Sequence, residues 1–269
     1  MPRMAPTTLI LRTAGTNCDR ETAHAFELAG ARAQMLHVNR LLERPGVLSE
    51  YQILAIPGGF SYGDDIAAGR IFASQLRHHL AEPLERFIAA GKPIIGICNG
   101  FQVLVQSGLL PGELAGRSGQ NCTLALNTCG RFVDRWVHLA GRGGRCIWTA
   151  GIEALELPIA HGEGRFVPAD EAVRLALWDN GQVALIYARA DGSAAGGAEP
   201  DNPNGSVDDI AGICDGTGLV FGLMPHPERH VDATQHPAWT RRGTGGEGGG
   251  LAVFRNAVAH VLQAVGAGV

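Results

Sequence analysis

The sequence predicts an α/β fold, a doubly wound and mostly parallel sheet with antiparallel additions in its second half. Three observations point there. In the first half, short uninterrupted apolar runs alternate with helix-like segments, the pattern of parallel strands buried on both faces. Those runs lack the strict apolar/polar alternation of a sheet with one wet face. In the second half the strand signals are short and joined by turn residues, as antiparallel neighbours require.

In chain order, Leu9-Ile10-Leu11 is the first buried strand. Asp19 and Glu21 suit the first turn of a helix, Ala25, Phe26, Leu28 and Ala29 form its apolar side, and Gly30 is placed to end it. Ala33 to Val38 and Gln52 to Ile56 give the second and third strands, and Ile71 to Ala90 a helical region. Pro93 to Cys98 is the fourth strand, and Phe101 to Val105 opens another helix. Further on, Val173 to Trp178 and Val183 to Tyr187 read as a hairpin through the Asn180-Gly181 turn. Ala190 to Gly218, rich in Gly, Pro, Asn and Asp, reads as a long loop, and Leu219 to Met224 as a further buried strand. Leu251, Phe254, Val258, Val261 and Val265 recur at helical spacing, so 250–265 reads as an amphipathic helix, preceded by a mobile segment from Arg241 to Gly250. With no repeat and no linker, residues 1–269 read as a single domain.

Composition narrows the function. A chain of 269 residues, 45% hydrophobic and 18% charged, has ample material for a core. A net charge of −4 without a basic run argues against a nucleic-acid surface. Met1 to Thr8 lacks the apolar core of a signal peptide, and no apolar run is long enough to cross a bilayer, which points to the cytoplasm. There the six cysteines are expected to be reduced, and their spacing matches no zinc pattern. The single lysine, Lys92, is followed by Pro93, so the chain has no Gly-x-x-x-x-Gly-Lys-Ser/Thr phosphate loop. No Gly-x-Gly-x-x-Gly follows the first strand either, since that turn reads Gly15-Thr16-Asn17-Cys18-Asp19. If the reaction consumes ATP, another polypeptide supplies the site.

The chemistry concentrates in two places. In Gly96-Ile97-Cys98-Asn99-Gly100-Phe101-Gln102 a thiol stands on a sharp strand-to-helix corner between two glycines. The helix start adds N–H donors and a positive dipole end, which favour a thiolate and an oxyanion. In Pro225-His226-Pro227-Glu228 the prolines hold His226 extended, which sets the Glu228 carboxylate two residues on beside the ring, a general base with its orienter. Both segments end strands whose carboxyl edge is where ligands of such sheets bind. Cys18, at another strand-to-helix junction but without flanking glycines, reads as structural or site-lining. His161, between Ala160 and Gly162, fits either a ligand or partner contact or, with Glu163, a satisfied polar turn. Ser61 to Asp65 fits either a cover over the pocket or an exit path.

The pattern Gly-x-Cys-x-Gly-x-Gln followed by a distant His-x-Glu resembles the class I glutamine amidotransferases. Within them the chain is similar to the glutaminase subunits of phosphoribosylformylglycinamidine synthases. That similarity rests on Pro57-Gly58-Gly59-Phe60-Ser61-Tyr62-Gly63-Asp64, Arg131-Phe132-Val133, Arg135-Trp136-Val137, Pro158-Ile159-Ala160-His161-Gly162-Glu163-Gly164, Asn202-Pro203-Asn204-Gly205-Ser206 and Gly222 to Arg229. The resemblance departs mainly in Gly141 to Gly151 and in the glycine-rich stretch near the end. It implies a flavodoxin-like sheet and glutamine hydrolysis to glutamate and ammonia, with Cys98 as nucleophile and His226 and Glu228 completing a triad. Ammonia would pass to a synthetase subunit, joined by a small bridging subunit, that carries ATP and Mg and converts formylglycinamide ribonucleotide to formylglycinamidine ribonucleotide. No cofactor or metal is expected on this chain. The oxyanion donors expected are the backbone N–H of Asn99 and that of Gly59 or Phe60, in the glycine loop that begins at Gly58. In the wider family a residue at the position of Gln102 contacts glutamine. Two other readings keep the residues in view: a peptidase-like or deglycase-like cysteine hydrolase of the same architecture, although a histidine typically follows the cysteine in the peptidase-like relatives and Asn99 does so here, and a silent module that binds without turnover.

Overall fold

The computed structural model describes residues 4–64, 67–243 and 245–266. Of the residues drawn on above, 1–3, Asp65, Thr244 and the side chains of Asp64 and Val265 lie outside those described. The parallel half begins with β1 (Thr7–Arg12), α1 (Asp19–Leu28), β2 (Arg32–His37), α2 (Val38–Glu43) and β3 (Ile53–Ile56). It continues with α3 (Arg70–His79), α4 (Ala81–Ala89), β4 (Ile94–Ile97) and α5 (Asn99–Ser107). Then come β5 (Cys122–Ala125), β6 (Val133–Gly141), β7 (Ala154–His161), β8 (Arg165–Pro168), α6 (Glu171–Asp179), β9 (Val183–Ala188), β10 (Ile210–Cys214) and β11 (Val220–Leu223). The short α7 (Trp239–Arg242) and the long α8 (Leu251–Gly266) close the chain.

Nine strands form one sheet in the order β2-β1-β3-β4-β11-β10-β9-β6-β7, and β5 pairs with β8 in a separate two-stranded ladder. The pairs from β2 to β11 are parallel, and those from β11 to β7 antiparallel. Burial follows position in the sheet rather than pairing, with the central β9 and β10 as fully buried as their parallel neighbours and the edge strand β2 largely exposed. Strands β3, β4 and β11 are buried at every residue, whereas β7 alternates between buried and half-buried residues along most of its length, as one covered face requires. On β11, Phe221 and Gly222 point to opposite faces. Phe221 stacks on Trp148, which meets Phe26 of α1 edge-on, and Phe26 meets Phe254 of α8 at 4.9 Å. On the Gly222 side Phe101 of α5 packs so closely that a Cβ on Gly222 would fall 2.1 Å from its ring. One hydrophobic cluster runs from Leu9 to Val261 and joins both halves.

Several expectations need correcting. The helical region from Ile71 to Ala90 is two helices broken at Leu80, because Pro83 has no N–H to give the carbonyl of His79. Val173 to Trp178 is helix α6 rather than a strand. Asp170 caps it by accepting from Val173 N at 3.0 Å, Val173 and Leu177 bury one face, and Gly181, at φ 62°, ends a helix instead of turning a hairpin. The long loop from Ala190 to Gly218 contains β10, buried throughout between β9 and β11. The end of the stretch from Arg241 to Gly250 is held by backbone bonds. Gly248 N donates to Val231 O at 3.0 Å and Gly250 N to His230 O at 2.9 Å. A Cβ on Gly250 would lie 2.1 Å from the Pro227 carbonyl, so this strap backs the turn that carries His226.

Candidate active site

The register of the parallel strands brings four loops to one edge. The turn after β1 ends in Cys18, the loop after β3 is Gly58-Gly59-Phe60, Cys98 follows β4, and Met224 to Glu228 follow β11. Backbone bonds lock them together: Cys18 N to Gly58 O at 3.3 Å, Phe60 N to Gly15 O at 3.0 Å, Cys98 N to Leu223 O at 2.8 Å. His226 N donates to Pro158 O at 2.9 Å, which fastens the turn to β7.

Cys98 caps α5 with φ 52° and ψ −106°, a backbone that a side chain adopts only at a cost of about 1–3 kcal/mol. Gly100 makes the corner possible, since a Cβ there would lie 1.9 Å from the Ile56 carbonyl. The thiol is 6% exposed and borders a cavity of about 430 Å³ together with Cys18, His161 and His226. It donates to the Ala160 carbonyl at 3.7 Å.

His226 Nδ1 and Glu228 Oε1 are 2.6 Å apart, both residues almost wholly buried. The pairing is made by a short 3-10 turn over Pro227–Arg229 rather than by an extended strand, a local geometry that the prolines alone do not specify. Burial pulls the imidazole toward its neutral form, but the Glu228 carboxylate and the thiols of Cys98 and Cys18 outweigh it and hold its pKa well above the ordinary histidine value. Among the described residues neither the buried Nε2 nor the buried Glu228 Oε2 has a hydrogen-bond partner. Gly58 leaves the space between the groups open: a Cβ on it would lie 2.9 Å from His226 Cε1, 3.1 Å from Cys18 Sγ and 3.4 Å from Cys98 Cβ.

Cys18 is fully buried, receives Arg229 Nη2 at 3.1 Å and donates to Asn17 Oδ1 at 3.2 Å. Burial pushes its thiol up to about 11 against the opposing pull of His226 and Arg229. Arg229 is itself anchored by Glu21 at 2.9 Å. Among the described residues, Cys18, His226 and Glu228 form a grouping tight enough for a metal ion, with donor atoms within 4.8 Å.

The loop residues fall into place unequally. The Phe60 N–H is already committed to Gly15 O, which leaves that of Gly59 as the donor on this side of the cavity. Asn99 opens α5, so its N–H belongs to the first-turn donors of that helix. Its side chain accepts from Ser61 N at 3.2 Å and donates to Gln102 Oε1 at 3.0 Å. Gln102 borders the cavity, but its amide also donates to Glu163 O at 2.6 Å, so both ends are held by the protein. His161 is brought to the same wall, with Nδ1 3.1 Å from Asn127 Oδ1. Asn202, Asn204 and Ser206 form a buried polar scaffold behind that wall, with Asn204 Nδ2 donating to Gly164 O at 2.8 Å. Sequence reasoning misses the Ala160 carbonyl and Asn127, because a backbone carbonyl carries no residue signal and Asn127-Thr128-Cys129-Gly130 reads as an ordinary turn.

Comparison with known proteins adds an independent line. The model of the CobB/CobQ-like glutamine amidotransferase domain matches residues 5–261. The phosphoribosylformylglycinamidine synthase subunit PurQ of Dehalococcoides mccartyi is 49% identical over 257 residues, covering 95% of this chain and 98% of that one. Its namesake from Methanococcus maripaludis is 43% identical over 239 residues, 89% of this chain and 88% of that one. Among solved structures, a chain of PurLQS from Thermotoga maritima superposes with a TM-score of 0.68 at 31% identity, covering 97% of this chain and 100% of that chain. A thiol, an imidazole and a carboxylate at one sheet edge, in a chain matched almost end to end, have a single family context: this chain belongs to the CobB/CobQ-like glutamine amidotransferase domain family.

Proposed function

We propose that this chain is the glutaminase subunit of a phosphoribosylformylglycinamidine synthase. The observation that carries the reading is the buried Nδ1–Oε1 pair of His226 and Glu228, whose ring borders the same cavity as the strained Cys98. Glutamine enters that cavity with its carboxamide toward Cys98. The thiol leaves the Ala160 carbonyl and passes its proton to His226 Nε2, and Sγ attacks the carboxamide carbon. The Glu228 carboxylate keeps the proton on Nδ1 and stabilises the imidazolium. The tetrahedral oxygen takes hydrogen bonds from Gly59 N–H and Asn99 N–H, each such donor contributing about 3 kcal/mol at the transition state. His226 then protonates the departing nitrogen, ammonia leaves, and water, with its proton taken by Nε2, hydrolyses the thioester to glutamate.

Ammonia is consumed by a synthetase subunit that carries ATP and Mg and makes formylglycinamidine ribonucleotide, with a small bridging subunit completing the assembly. The absence of a phosphate loop in this sequence supports that division. The chain acts as a single glutamine amidotransferase domain, supported by the hydrophobic cluster that spans both halves. Its place is the cytoplasm, where reducing conditions preserve a thiol nucleophile. Among the described residues no helix is long and apolar enough to cross a membrane.

Reconstitution with the synthetase and bridging subunits tests the reading. Product formation is expected to depend on glutamine and ATP, and Cys98→Ala to abolish glutamine use while ammonia still supports synthesis. Loss of both activities together, or glutamine use surviving the substitution, overturns it.

A further inference from the structure

His161 is a polar group in this cavity that the catalytic sequence leaves unused. It ends β7, is 3% exposed, and borders the cavity with Cys98 and His226. Its tautomer is fixed by Asn127. That amide donates through Nδ2 to Arg131 O at 3.0 Å and to His161 O at 2.8 Å, so its Oδ1 is an acceptor, and Gly164 N donates to it at 3.1 Å. His161 Nδ1, 3.1 Å from the same oxygen, therefore carries the proton, and Nε2 presents a lone pair. Nε2 is buried and has no hydrogen-bond partner among the described residues. The ring packs on Gly164, where a Cβ would fall 2.2 Å from Cε1 and 2.6 Å from Nε2, so a glycine there is what gives the ring its place. Burial, reinforced by the neighbouring charge of His226, holds its pKa down at about 3, so the lone pair persists at every working pH.

A fixed, uncharged acceptor in the wall of the cavity that Cys98 and His226 also border distinguishes an amide from an acid. A carboxamide nitrogen carries N–H donors, whereas a carboxylate offers only further lone pairs. We propose that His161 Nε2 accepts a hydrogen bond from the carboxamide N–H of bound glutamine and is the residue that separates glutamine from its product, glutamate. The inference rests on the glutaminase reading and adds a specificity determinant to it. It also gives the product a reason to leave, since hydrolysis replaces the donor by an oxygen that the lone pair repels.

The test uses the reconstituted complex carrying His161→Leu or His161→Gln. The leucine removes the acceptor, and the glutamine side chain places an amide oxygen near the Nε2 position. His161→Leu is expected to lower kcat/KM for glutamine about 10- to 100-fold while inhibition by glutamate stays level or tightens, with His161→Gln recovering part of the loss. Circular dichroism of each variant and its co-elution with the synthetase and bridging subunits report folding and docking. A parallel measurement needs no substitution at His161: ¹⁵N-histidine spectra of the Cys98→Ala protein, in which the unprotonated Nε2 resonance moves on adding glutamine and not on adding glutamate. Weakening of both ligands by one factor, or a resonance indifferent to glutamine, overturns this inference alone. A wild-type complex unable to use glutamine overturns the glutaminase reading with it.

Discussion

Cys98 and Cys18 occupy equivalent places in the fold: each caps the helix that follows a buried parallel strand, each is buried, and each borders the His226 ring. The two corners nevertheless differ in backbone. Cys18 sits at φ −96° and ψ 14°, a relaxed entry into α1, with its thiol engaged by Asn17 and Arg229. Cys98 sits at φ 52° and ψ −106°, forced there by the approach of α5 to β3 across Gly100, and its thiol donates to one wall carbonyl. Burial and a helix N-terminus are common to both. On the proposed mechanism, what separates the nucleophile from a lining residue is the strained corner at Cys98, while the relaxed thiol is left protonated and tied.

The comparison can be broken at its strongest point first. If His226 serves Cys98 through Nε2 and Glu228 through Nδ1, Glu228→Gln lowers kcat for glutamine hydrolysis by about 10²–10⁴-fold with KM little changed, measured in steady state. A loss below tenfold removes Glu228 from the mechanism. Gly100→Ala attacks the corner itself. Its Cβ would meet the Ile56 carbonyl, so denaturant unfolding is expected to show a loss of about 3 kcal/mol or more, with glutamine turnover falling alongside. Stability within 0.5 kcal/mol of wild type, on the order of a neutral surface change, contradicts the account of the corner. The smallest effect belongs to Cys18→Ala. Turnover is expected to stay within about tenfold of wild type, and stability to fall by about 1–2 kcal/mol for the truncated buried group. A collapse of kcat to the level of Cys98→Ala would make the two thiols partners rather than opposites.

Much of this was legible in the residues. The parallel half announces itself because strands buried on both faces must be short apolar runs, and Leu9-Ile10-Leu11 and Ile94 to Ile97 are such runs. Cys98 is legible because glycines constrain its corner locally, and His226 and Glu228 are legible by their spacing, although the 3-10 turn that pairs them is not set by the prolines alone. The second half is less so. Val173 to Trp178 is apolar enough for either period, and the deciding signal, Asp170 as a cap, is a single side chain. Strand β10 is hidden by Gly212 in its centre and by the polar loop before it. His161 defeats local reading altogether, since its tautomer is set by Asn127, 34 residues away. The Phe60 N–H, an expected donor to the oxyanion, is consumed by Gly15, a contact between two loops that neither loop specifies alone.

The most direct measurement of the central claim is covalent labelling of the wild-type chain by a glutamine-mimicking electrophile at neutral pH, followed by peptide mapping. The account predicts modification of Cys98 alone, blocked by glutamine, with Cys18 reacting only as the pH approaches the value near 11 at which burial lets it ionise. Label on Cys18 at neutral pH, or label on Cys98 that glutamine does not protect, would contradict it.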